Sequence, residues 1–221
     1  LAGVAPGKVE ICTAALQMGR IAGRLGVDIR LNTPLTEALL MEIDPDEVVV
    51  ATGSNPVIPP IAGNDVPHVM TGHDVLNGLK SPGKSVVIIG GGLIGMEVAE
   101  YLSLRGRTIT IIEMLDEVAG GLGPTRKPFA LKFLEESGVR VFVCAKCLEI
   151  RPNSLILEQD GQTREIDAID TVVMAVGVKP DRAVESLLKE KGYPFRVIGD
   201  AREARKALDA IWEGAEAGRA I

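Results

Sequence analysis

Three glycines and one acid carry the strongest chemical signal in this sequence. In the stretch SVVIIGGGLIGMEVAEYLSLRGRTITIIE, residues 85–113, Gly90, Gly92 and Gly95 stand at GxGxxG spacing and Glu113 follows the last of them by 18 residues. Each position has a physical task in gripping a dinucleotide. Gly90 permits a tight turn from strand to helix, Gly92 lacks the Cβ that would hold a pyrophosphate off the backbone, and Gly95 lets helix and strand pack closely. The helix that begins there turns its free N–H groups and positive dipole end toward the phosphates. Glu113 stands where a carboxylate can accept both ribose hydroxyls of an adenosine. An acid at that place repels the 2′-phosphate of NADP, and the run EMLDE that it opens contains no arginine, so NADH is favoured over NADPH. Arg126 and Lys127 remain as cations that could swing in.

Other residue patterns promise less. The pair Cys144 and Cys147 in CAKC has redox spacing, but it ends a strand rather than opening a helix, and residues i and i+3 of an extended chain point to opposite faces. Two cysteines without a histidine nearby also make a poor zinc site, so no metal is expected. His68 and His73 fall in a proline-rich stretch and read as solvated loop residues. Glu97, on the first turn of the helix after the glycines, suits the helix dipole and could serve as a cap or stand near a nicotinamide. No catalytic side chain is singled out.

The elements that must position these residues follow from periodicity. Residues 8–25 form an amphipathic helix stopped by Gly26, VDIRL alternates as a short strand, a helix over about 35–41 follows, and EVVVATG is a buried strand. Five prolines between 56 and 82 mark a linker around one short helix over 74–79. Beyond it come strand 85–89, helix 92–105, strand 108–112, helix 125–137 and strand 139–143, the rhythm of βαβ units on a parallel sheet. Two short strands over 146–166 flank Asp160-Gly161, a two-residue hairpin turn. AIDTVVMAVG and RVIGD are further strands. A helix over 203–221 follows, with Ala207, Leu208, Ile211, Trp212 and Ala215 on one face.

Composition narrows the function classes. The 221 residues are 46% hydrophobic with a formal net charge of -6, enough for one or two domains with a core and unfavourable for nucleic acid, whose phosphates call for a basic face. No apolar run approaches the ~20 residues of a membrane span, and the first residues have no leader pattern. Three cysteines without framework spacing fit a reducing compartment, hence the cytoplasm. The absence of an initiator methionine at Leu1 suggests a piece of a longer protein.

Taken together, VVVATGSNPVIPPIAG, VVIIGGGLIGMEVAEYL, TIIEMLDEVAGGLGP, VVMAVGVKPD and VIGDAREARKALDAIWEGAEAGRAI resemble the two-dinucleotide-binding-domain flavoproteins. Within them the sequence is most similar to the C-terminal part of the 2,4-dienoyl-CoA reductase and trimethylamine dehydrogenase group, the NADH:flavin oxidoreductases with an old yellow enzyme-like barrel. The resemblance implies an α/β fold. A Rossmann-like NAD(P)-binding domain at 64–181, with a parallel sheet and an antiparallel β-meander, would be inserted in a truncated FAD-binding domain at 1–63 and 182–221. It implies that Gly90, Gly92, Leu93, Ile94, Gly95 and Glu113 hold NAD(H) and that Gly177 lies near the nicotinamide nucleotide. Thr52 and Gly53 would lie near the flavin, and Asp200 on the ribityl or pyrophosphate side of FAD. The family's first glycine fingerprint, its FMN barrel and its 4Fe-4S cluster would precede Leu1. The expected activity is hydride transfer from NADH to FAD, with an NADH oxidase, a disulfide reductase or a non-catalytic ADP-binding module as alternatives.

Overall fold

The computed structural model describes residues 2–221. In chain order the elements are α1 (Val9–Arg24), α2 (Glu37–Ile43), β1 (Val48–Val50), β2 (Ser54–Pro56), β3 (Val69–Thr71), α3 (Gly72–Leu76) and β4 (Ser85–Ile89). Then come α4 (Leu93–Ser103), β5 (Thr108–Ile112), α5 (Lys127–Glu136), β6 (Arg140–Phe142), β7 (Ala145–Ile150), β8 (Ser154–Gln159) and β9 (Gln162–Asp167). The last are β10 (Thr171–Met174), β11 (Val178–Pro180), α6 (Ala183–Lys191), β12 (Phe195–Val197) and α7 (Ala207–Arg219). The described residues form two compact units, 2–21 with Pro56–Gly177 and Ala22–Asn55 with Val178–Ile221.

The first unit is built on a parallel sheet of order β3-β10-β4-β5-β6. Its central strands SVVII, TITII and TVVM are buried along nearly their whole length, as parallel strands covered on both faces must be. Successive side chains leave a strand on opposite faces. Val86, Ile88, Ile109, Ile111 and Val173 therefore pack against Met96, Val98, Ala99 and Leu102 of α4, while Val87, Ile89, Ile112, Val172 and Met174 meet the antiparallel meander β7-β8-β9. Ile88 and Ile111 are fully buried, and truncating either to alanine would cost about 2–5 kcal/mol. The start of β4 is set by polar contacts: Asp170 Oδ2 accepts the N–H groups of Lys84 and Ser85 at 2.9 and 2.8 Å, and Thr171 Oγ1 accepts that of Gly83 at 2.9 Å. Asp160 and Gly161, both at positive φ, make the two-residue turn between β8 and β9.

The second unit has a parallel pair, β1 with β12, packed on Leu40, Leu188 and Ala201. β2 and β11 form another two-stranded sheet.

Several elements differ from the sequence expectations. The linker at 54–84 contributes β3, paired in register Val69↔Val172 with β10, and its helix starts at Gly72, where Thr71 and Asp74 form a reciprocal cap. A three-residue strand has no readable period; its partner strand makes it. VDIRL is irregular, with Leu31 79% exposed: alternation yields a strand only where a sheet edge receives it, and no described strand pairs here. α6 was not anticipated, because its sequence AVESLLKEK carries only three large apolar residues. The last helix begins at Ala207, after a 3₁₀ turn over Gly199–Ala201, and its apolar face is turned outward: Leu208, Ile211 and Trp212 are exposed.

Candidate functional site

β4 delivers the chain to the glycine turn. Gly90 has φ +103, and a Cβ there would lie 2.5 Å from the Ala175 carbonyl oxygen, so only glycine fits between this turn and the end of β10. Gly95, in the first turn of α4, faces the Gly90 carbonyl so closely that a Cβ would overlap it. These two glycines bring the helix start down onto the sheet. Gly92 is the N-cap of α4 and is different: the space where its Cβ would stand is open. The first intrahelical bond is Met96 N–H to Gly92 C=O at 2.9 Å, so the amides of Leu93, Ile94 and Gly95 precede the helical ladder and have no partner within it. Open backbone above a helix N-terminus is what a pyrophosphate requires.

Glu113 follows β5 and closes on this turn. Its Oε2 accepts the Gly91 N–H at 2.7 Å and its Oε1 accepts the Leu115 N–H at 2.8 Å. Gly91 is held from its other side as well, because its carbonyl accepts the Ala119 N–H at 2.7 Å. A carboxylate can accept about four hydrogen bonds, so Glu113 keeps a free lone pair on each oxygen. Gly177, at φ +113 beyond β10, also faces open space.

Glu97 does not cap α4. It pairs with Lys8, 89 residues away in sequence, and both side chains are about one-fifth exposed. One turn along, Glu100 lies 3.6 Å from Arg126, and Lys127 is paired with Glu117 at 2.6 Å.

Thr52, Gly53 and Asp200 belong to the second unit. Thr52 Oγ1 donates to the Asp181 carbonyl at 2.7 Å, and the Asp181 N–H donates to the Gly53 carbonyl at 2.9 Å. Asp200 sits in the 3₁₀ turn, where its carboxylate accepts the Ser54 hydroxyl at 3.5 Å and the Arg205 N–H at 3.4 Å. The turn is tied to α7 by Glu213, which accepts the Gly199 N–H at 2.6 Å and also bonds Arg202 and Arg205. Arg205 first, then the Gly199 amide, holds the Glu213 carboxyl below the usual glutamate range. Glu213 was not singled out from sequence; its 14-residue separation from Gly199 gives no local signal.

Comparison with known proteins fixes the family. Residues 20–197 match the pyridine nucleotide-disulphide oxidoreductases. The chain belongs to that family. It is 34% identical over 215 residues to a bilirubin reductase of Mediterraneibacter gnavus, with 97% of this chain and 33% of that protein covered. It is 32% identical over 219 residues to an NADH oxidase of Thermoanaerobacter brockii, covering 97% of this chain and 34% of the other. Among solved structures, a 2-naphthoyl-CoA reductase superposes with a TM-score of 0.93 at 26% identity, over 100% of this chain and 34% of that one. The chain thus spans about a third of the length of these relatives. The resemblance drawn from the motifs and the Rossmann-like α/β fold both hold, and the chain is an oxidoreductase module.

The two cysteines of CAKC lie in different surroundings. Cys144 is exposed in a left-handed backbone conformation, while Cys147 is buried on β7 and its thiol is pushed up to about 12 by that burial. Both histidines depart from the solvated loop expected of them. The Nε2 of His68 is buried with no hydrogen-bond partner, and His73, on the first turn of α3, is held below its usual range by burial, against the opposing charge of Asp74. Among the described residues, no group of three or more histidines, cysteines or acids could hold a metal ion, and no helix is long and apolar enough to cross a membrane.

Proposed function

We propose that this chain is the NADH-binding reductase module of a longer, cytoplasmic flavin-dependent oxidoreductase of the 2,4-dienoyl-CoA reductase type, in which hydride passes from NADH to FAD. The observation that carries the reading is the contrast within one turn: Gly90 and Gly95 are forced by contacts of the fold, whereas Gly92 faces open space at a helix N-terminus beside an acid. A purely structural turn gives no reason for the open position.

In this reading the amides of Leu93, Ile94 and Gly95 bind the pyrophosphate, Glu113 accepts the adenosine ribose hydroxyls on its free lone pairs, and Gly177 leaves room for the nicotinamide half. The nucleotide supplies the hydride chemistry, and the chain binds and orients it. The nicotinamide domain is 64–181, and 1–63 with 182–221 belong to an FAD domain in which Thr52, Gly53 and Asp200 line the flavin. The sequence holds no second strand–GxGxxG–helix, the unit that would grip the FAD adenylate. FMN and a 4Fe-4S cluster belong to an N-terminal barrel of the parent chain.

Calorimetric titration with NADH, NADPH and ADP tests this. NADH binding tighter than ADP supports a nicotinamide site. Equal affinity for both replaces it with an ADP-holding module, and no binding rejects the glycine turn as a nucleotide site.

A further inference from the structure

Two cations stand at the start of α5, and each is held by an acid. Lys127, the first residue of α5, donates to Glu117 Oε2 at 2.6 Å, and Arg126, its N-cap, lies 3.6 Å from Glu100 of α4. Glu117 belongs to the loop that follows Glu113, and both ends of that loop are fastened to one residue of the glycine turn. Glu113 accepts the Gly91 N–H, the Ala119 N–H binds the Gly91 carbonyl, and Val118 packs so close to Gly91 that a Cβ there would approach its Cγ1 to 2.5 Å. Glu117 thus belongs to the short loop that opens on the acid assigned to the adenosine ribose, and Lys127 is paired with it.

A 2′-phosphate on that ribose would bring up to two further negative charges next to Glu113, and its binding demands a cation. We propose that Glu117 is a specificity-determining residue. By holding Lys127 in an ion pair it denies the ribose end of the site the cation that NADPH requires, and so acts with Glu113 to select NADH. An exposed pair of this kind is weak enough for Lys127 to exchange partners once the carboxylate is gone. The proposal rests on the reading of the glycine turn as a nicotinamide nucleotide site.

The test is calorimetric titration of the wild-type chain, E117Q and E117Q/K127Q with NADH and with NADPH at one salt concentration. E117Q should raise the ratio of NADPH to NADH affinity about tenfold, the scale of one charge-assisted hydrogen bond, and E117Q/K127Q should return it to the wild-type value. An unchanged ratio in E117Q, with NADH still bound by the wild type, overturns the role of Glu117 alone. A gain that survives the loss of Lys127 overturns it too, since removal of one negative charge would then suffice. A wild-type chain that binds neither nucleotide overturns the underlying site and this proposal with it.

Discussion

Glu113 and Gly91 are joined by a hydrogen bond of 2.7 Å from the glycine amide to the carboxylate Oε2. The acid at the end of β5 therefore shapes the turn at the end of β4, and the ribose recognition proposed for it would be a second task of the same side chain.

Replacing Glu113 with alanine is expected to weaken NADH binding by about 1–2 kcal/mol, the scale of a lost charge-assisted hydrogen bond. It also leaves the Gly91 and Leu115 amides without their acceptor, so the unfolding temperature should fall as well. Calorimetry and a thermal melt on the same preparation separate the two losses; an unchanged affinity would show that the ribose lies elsewhere.

Gly92 and Gly95 should behave in opposite ways when changed to alanine. Gly95→Ala forces a methyl into the Gly90 carbonyl and should cost about 1–3 kcal/mol of stability by overpacking. Gly92→Ala meets open space, so its melting temperature should stay near wild type while NADH binding is lost to the obstructed backbone. A stable G92A chain that still binds NADH normally would remove Gly92 from the pyrophosphate site.

Thiol labelling at pH 8 should find Cys144 and spare Cys147. Burial raises the Cys147 thiol to about 12, which leaves almost no thiolate at that pH, whereas Cys144 is exposed. Mass spectrometry of the labelled peptide reads this directly. Cys147 modified as fast as Cys144 would mean that β7 opens readily.

The Glu213 carboxyl is held down by Arg205 and the Gly199 amide, so its contribution to stability has a definite sign with pH. A lowered folded-state value means that the stabilisation is fully present above the ordinary glutamate range of roughly 4.3 and is lost as the pH falls through the folded-state value. Acid unfolding of the wild-type chain should therefore be steeper in that window than that of E213Q, followed by circular dichroism. Superimposable acid transitions would leave Glu213 without this role.

The glycine turn, the β4–α4–β5 unit and the Asp160-Gly161 hairpin were readable because each is a local pattern of fixed spacing. β3 was not: three residues beside Pro67 and Gly72 carry no periodicity, and they become a strand only through pairing with β10, about a hundred residues on. The apolar face of α7 was legible as a face, yet amphipathicity says only that a helix wants a partner; Trp212 remains exposed. The ties of Glu113 to Gly91 and of Glu117 to Lys127 depend on how a loop closes, which spacing does not encode.

The three-residue pairing of β1 with β12 has a practical consequence. Local opening is easiest where few apolar contacts are buried, and this pair rests on a core of four fully buried residues, whereas β4 and β5 lie between two large clusters. Amides of Val48–Val50 and Phe195–Val197 should then exchange with deuterium well before those of Ser85–Ile89. Proteases would nick the smaller unit first, and the larger unit with its glycine turn would outlast it in an aged preparation.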